Sequence, residues 1–126
     1  MSKKILVVDD DPDIMHIITH VLKDAGYQVI PGYGAEDALR KVKVHKVDLV
    51  LTDLAMPKVS GVEVIQGIKS DPETSHIPVV AVTAHVWEGL AQSAGQVGCD
   101  GFILKPFSNR HLLLEVSKYL DRTKAP

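Results

Sequence analysis

Four short apolar runs each end in polar residues suited to phosphoryl chemistry. Ile5-Leu6-Val7-Val8 leads into Asp9-Asp10-Asp11, and Leu49-Val50-Leu51-Thr52 leads into Asp53. Val79-Val80-Ala81-Val82 leads into Thr83, and Phe102-Ile103-Leu104 leads into Lys105-Pro106. Open α/β sheets bind ligands beyond the carboxyl ends of their strands. If the four runs are neighbouring parallel strands, three or more carboxylates, a hydroxyl and an ammonium share one crevice. At ~4 Å and an effective dielectric near 20, each pair of charged acids costs about 4 kcal/mol. Either one acid keeps its proton or a cation joins them. Carboxylates, a carbonyl and water make an all-oxygen site of the kind that takes Mg2+ or Mn2+. A carboxylate can also attack phosphorus to give an acyl phosphate, whose spreading charge needs fixed positive partners and donors. Lys105 and Thr83 are of the right type for that work.

The elements that must position these groups follow from pattern. The chain of 126 residues reads as one domain, residues 1–126, with no output domain attached. An apolar fraction of 45% against 24% charged residues is that of a globular fold. The formal net charge of −2 favours neither nucleic acid nor an anionic membrane as a direct partner. A lone cysteine, Cys99, excludes an intrachain disulfide and fits a reducing cytosol. Neither a signal peptide nor a stretch of ~20 apolar residues is evident, so the expected location is cytoplasmic.

Strand and helix alternate five times. Strand 1 spans about Lys4 to Val8. Asp11 is expected to cap helix 1, with Pro12 in the first turn, Ile14, Ile17, Ile18, Val21 and Leu22 on one inner face, and Gly26 just past the end. Strand 2 spans Tyr27 to Ile30 and is punctuated by Pro31-Gly32. Helix 2 covers Ala35 to Val44, with Ala38, Leu39 and Val42 inward. Strand 3 spans Leu49 to Thr52, helix 3 about Val62 to Lys69, and strand 4 Val79 to Val82. A loose fourth helix is expected over Val86 to Val97, strand 5 over Phe102 to Leu104, and a fifth helix over Asn109 to Leu120. The runs of strands 1, 3, 4 and 5 suit strands covered on both faces. The expected fold is α/β: a doubly wound, five-stranded parallel sheet of flavodoxin-like (βα)5 type, strand order 2-1-3-4-5.

The set Asp9-Asp10, Asp53-Leu54-Ala55-Met56-Pro57 with Gly61, Val82-Thr83-Ala84 and Lys105-Pro106-Phe107 resembles the receiver domain of two-component response regulators. The resemblance covers about Lys4 to Leu120. It implies a stand-alone receiver that takes a phosphoryl group on Asp53 from a sensor histidine kinase or phosphotransfer protein, with Mg2+ as cofactor. Asp10 matches the direct metal ligand, Asp9 its neighbour acting through water, and the Ala55 carbonyl a further ligand. Thr83 and Lys105 match the hydroxyl and lysine that meet the phosphoryl group, and Phe102 the aromatic switch. Ala55 and His85 match positions that tune phosphoryl lifetime. A cis Lys105–Pro106 bond is also implied. The implied output is a protein contact on the face of helix 4, strand 5 and helix 5, its target unnamed by the sequence. The donor is expected to dock along helix 1 near Ile14, Met15 and Ile18 and on the loop after strand 5. No separate substrate is turned over, so the chain is not expected to be an enzyme beyond gaining and losing its own phosphoryl group.

Plainer roles compete. Asp11 reads as a helix cap and His16, His20, His45, His76 and His111 as surface or boundary residues. Cys99 reads as a half-buried turn side chain. Trp87 suits a core or a docking position equally. A haloacid-dehalogenase-like phosphatase is the rival from another class, with Asp9 as nucleophile and Asp11 as acid. It would need a further acidic metal-binding motif after Lys105. A pseudo-receiver that only binds is a third reading.

Overall fold

The computed structural model describes residues 3–53, 61–83 and 98–120. Five strands, β1 (Lys4–Val8), β2 (Gln28–Gly32), β3 (Leu49–Thr52), β4 (Val79–Thr83) and β5 (Gly101–Leu104), form one parallel sheet in the order β2-β1-β3-β4-β5. Helices α1 (Pro12–Asp24), α2 (Ala35–Val44) and α3 (Gly61–Ser70) and a C-terminal helix (Asn109–Leu120) cover it. The fourth helix expected over Val86 to Val97, with His85 and Trp87, lies outside the described residues, as does Ala55.

Side chains alternate across a strand, so each run feeds both faces of the sheet. Leu6, Val8, Val50, Val79 and Ala81 pack with Ala38 and Val42 of α2 and with Val64, Ile65 and Ile68 of α3. Ile5, Val7, Leu49, Leu51, Val80, Val82 and Ile103 pack with Ile18 and Leu22 of α1 and with Leu112 and Val116 of the C-terminal helix. With α2 and α3 on one face and α1 and the C-terminal helix on the other, both sides of the central strands are buried.

Local signals explain the boundaries. The Asp11 carboxylate accepts from the Asp13 amide at 2.9 Å and the Ile14 amide at 3.5 Å, which caps α1 ahead of Pro12. Gly26 ends α1 with φ +98°, a conformation that favours glycine. The connection from α3 to β4 is held from inside. Buried Thr74 donates its hydroxyl to the Ile68 carbonyl at 2.7 Å. Lys69 reaches the Ile77 carbonyl at 2.7 Å and pairs with Asp100 at 3.0 Å.

Three expectations change. β2 runs through Pro31 to Gly32 and does not stop at Ile30. It is an edge strand, where a missing N–H costs nothing to a neighbour, and the Pro31 carbonyl is taken by the Lys41 ammonium at 2.6 Å. β5 is the other edge: among its residues only Ile103 is buried, and Leu104 is 51% exposed, so it is not covered on both faces. On α1 one residue departs from the expected inner face: Ile18, Val21 and Leu22 are buried there as expected, but Ile17 is not. Ile18 is buried at 1% exposure, so it cannot serve as a docking residue, whereas Ile17 faces outward at 44%. Ile14 and Met15 are half-buried against the core.

Candidate functional site

The carboxyl ends of β1, β3, β4 and β5 are neighbours, so the polar residues that follow them converge. Asp9 leaves β1 inside the protein at 4% exposure. One of its oxygens accepts from the Asp11 amide at 2.9 Å, and the other accepts from the Lys105 ammonium at 2.9 Å. Asp53 follows β3, with its amide donating to the Val8 carbonyl at 2.9 Å, which ties it to the end of β1. Its carboxylate accepts from Lys105 at 3.1 Å and is likewise buried. Asp10 stands exposed beside them, and one oxygen each of Asp9, Asp10 and Asp53 lies within 4.8 Å of the others.

Thr83 ends β4 fully buried. Its carbonyl accepts the Lys105 amide at 2.9 Å, so the ends of β4 and β5 are joined through the main chain. The Lys105–Pro106 peptide is cis. Phe102 is paired in register with Ala81, two residues before Thr83, so Phe102 and Thr83 belong to the same face of the sheet. Phe102 is half-buried against the core that also contains Ala81.

The electrostatics leave room for a cation. Burial pushes the Asp9 carboxyl above the usual carboxylate range, although its bond to Lys105 pulls the other way. Burial alone would weaken the Lys105 ammonium, but its bonds to Asp9 and Asp53 outweigh that and hold it above the ordinary lysine value. Among the described residues three carboxylates meet one ammonium, a formal excess of two negative charges. Among the described residues the donor set is all oxygen, from Asp9, Asp10 and Asp53. Its chemistry fits a hard divalent ion, which oxygen ligands suit.

Asp9 and Lys105 are 96 positions apart, and the expected convergence of strand ends brings them together; the direct bond between them is what the sequence did not specify. Asp11 is occupied as a helix cap, and Cys99 is half-buried with its thiol pushed up by burial. His16, His20, His45, His76 and His111 are all exposed.

A parallel doubly wound sheet with an acidic crevice and a lysine at its carboxyl edge is the architecture of a CheY-like signalling domain. Comparison with known proteins agrees. The family description "Response regulator receiver domain" matches residues 5–117. The polar-differentiation response regulator DivK of Brucella anthropi is 35% identical over 120 residues, covering 95% of this chain and 98% of that protein. Among solved structures, the chemotaxis protein CheY4 of Vibrio cholerae superposes with a TM-score of 0.90 at 28% identity, over 94% of this chain and 99% of that one. The receiver domain of the sensor histidine kinase PA1611 from Pseudomonas aeruginosa, described with a magnesium ion in its active-site cleft, superposes with a TM-score of 0.87 at 24% identity, over 95% and 98% of the two chains. The chain therefore belongs to the response regulator receiver family of two-component signalling. That membership displaces the phosphatase reading. Among the described residues no helix is long and apolar enough to cross a membrane.

Proposed function

We propose that this receiver takes a phosphoryl group on Asp53 from a histidine kinase or phosphotransfer protein and relays the change to a protein partner. The observation that carries the reading is the Lys105 ammonium bonded at once to Asp9 and Asp53 beside the Asp10 carboxylate. Asp9, Asp10 and Asp53, with the Ala55 carbonyl, would hold Mg2+ or Mn2+. When bound, such an ion supplies positive charge against phosphoryl oxygens.

The chain's own groups do the rest. The Asp53 carboxylate attacks phosphorus; a new O–P bond forms while the bond to the donor imidazole breaks, and the product is an acyl phosphate. Lys105 has three N–H donors and is fixed next to Asp53, so it can follow the phosphoryl oxygens without reorganising. The Thr83 hydroxyl donates to another oxygen as it moves. Phe102, on the same face, turns inward in response, which shifts an equilibrium between two pre-existing states. Ala55 and His85 set the lifetime of the phosphoryl group. The output is a protein contact through the 86–97 segment, β5 and the C-terminal helix. The donor docks along α1, through the part-buried Ile14 and Met15 and the outward Ile17.

Incubation with acetyl phosphate and MgCl2, followed by intact-mass analysis, tests this. Wild type gains a single acid-labile phosphoryl group, and Asp53→Asn gains none. An unlabelled wild type overturns the proposal and leaves a pseudo-receiver.

A further inference from the structure

The outer side of β2, an edge strand, is closed at nearly every main-chain group. In the parallel ladder to β1, Gln28 donates its amide to the Lys3 carbonyl, so Gln28, Ile30 and Gly32 turn their peptide groups inward. Tyr27, Val29, Pro31 and Tyr33 alternate with them and turn theirs outward. The Tyr27 amide donates to the Leu22 carbonyl of α1 at 3.0 Å. Pro31 has no N–H, and its carbonyl accepts from the Lys41 ammonium at 2.6 Å. The Tyr33 amide donates to the Asp37 carboxylate at 3.0 Å. Among the described residues, Val29 alone keeps both of its outward groups without a partner.

Lys41 is held in place for this role. Its ammonium pairs with Asp37 at 2.9 Å and lies 4.8 Å from the centre of the Tyr33 ring. Its side chain is only 16% exposed. An ammonium engaged by a carbonyl, a carboxylate and an aromatic ring stays on the strand and does not wander into solvent.

The strand beneath it is one that would otherwise pair. Residues 27–32 read Tyr-Gln-Val-Ile-Pro-Gly and carry no charge, and Val29 and Ile30 are half-buried β-branched residues. Short uncharged edges of this kind template pairing with another strand. Two copies of β2 could meet antiparallel about a two-fold axis, with Val29 opposite position 31 of the other copy, twice over. Each such outward pair would exchange both of its bonds. Pro31 cancels the donor in each pair, and Lys41 occupies the acceptor.

We propose that Pro31 and Lys41 together form a guard that keeps β2 from pairing with β2 of a second copy of this chain.

Sedimentation equilibrium of the full chain tests it. Pro31→Val restores the outward N–H, and Lys41→Met frees the carbonyl. The double variant should self-associate at least about tenfold more tightly than wild type, and each single variant less tightly than the pair. Amide hydrogen exchange locates the contact: positions 29 and 31 should gain protection as the double variant associates. Adding Val29→Pro removes the remaining outward donor while sparing the ladder to β1, so it should return the double variant to a monomer. Pro31→Val alone, which keeps Lys41 and its partners, carries the same test should the double change lose the fold. The proposal fails if the folded variants associate no more than wild type does at about 1 mM. It fails equally if association survives Val29→Pro, or if the protection gained lies outside residues 27–33.

Discussion

The Lys105 ammonium stands 2.9 Å from the buried Asp9 carboxylate and joins the last strand of the sheet to the first. The same nitrogen lies 3.1 Å from Asp53, so one cation holds two acids that would otherwise repel.

Removing that cation takes away the positive charge that the buried Asp9 and Asp53 carboxylates share. Lys105→Ala should lower metal-free stability at pH 7 by about 3 kcal/mol, as breaking a buried pair does. Urea denaturation measures it. Addition of MgCl2 should recover more stability in the variant than in wild type, because the ion then replaces the lost charge. Equal recovery in both proteins would show that Lys105 and the ion do not share a role.

Asp9 gives a pH signature. Its folded pKa is raised by burial, so the folded state binds its proton more tightly than the unfolded chain does. Ionised Asp9 thus costs stability at neutral pH, and that cost is relieved as pH falls from the raised value towards the ordinary one. Asp9→Asn has no such proton to gain. The stability difference between wild type and Asp9→Asn should move in favour of wild type as pH drops from neutral to about 4. Parallel melting curves across that range would contradict it.

Asp37 behaves in the opposite sense. Its carboxylate pairs with Lys41 at 2.9 Å and accepts the Tyr33 amide at 3.0 Å, and the Lys41 bond chiefly holds its pKa below the usual range. The resulting stability is full above the unfolded value and is lost as pH falls through the depressed folded one. Asp37→Asn should cost about 0.5–1 kcal/mol at pH 7 in low salt, with the difference closing in acid and shrinking in high salt. Chemical denaturation at two pH values decides it.

Helix α3 meets α2 at a glycine. A methyl group on Gly67 would come within 2.6 Å of the Leu39 side chain. Gly67→Ala gains about 1 kcal/mol in helix propensity but overpacks the contact by about 1–3 kcal/mol, so the net effect should be destabilising. Leu39→Ala in the same chain should relieve the clash, giving a favourable coupling in a double-mutant cycle. Additive effects would mean that Leu39 simply rotates aside.

Much of this fold was legible because its signals are local. Asp11-Pro12 begins α1 and Gly26 ends it through capping and backbone freedom alone. The apolar runs marked the sheet, and the polar residues after them marked its functional edge. Pro31 misled because its effect depends on whether a strand is central or at an edge, a property of the assembled sheet. Ile17 and Ile18 were both apolar candidates for the inner face of α1. Packing against β1 and the C-terminal helix buried one and exposed the other. Leu104 reads as a core residue in sequence yet ends an edge strand half in water. The bond from Lys105 to Asp9 closes only when five strands are in order, so no window of sequence contains it.

The Lys105 amide held by the Thr83 carbonyl has a mechanical consequence. The two adjoining strand tips cannot slide past each other without rupturing that main-chain link. In the switch proposed above, a change in the crevice is then carried outward by torsion of side chains such as Thr83 and Phe102 and not by slippage of these two tips.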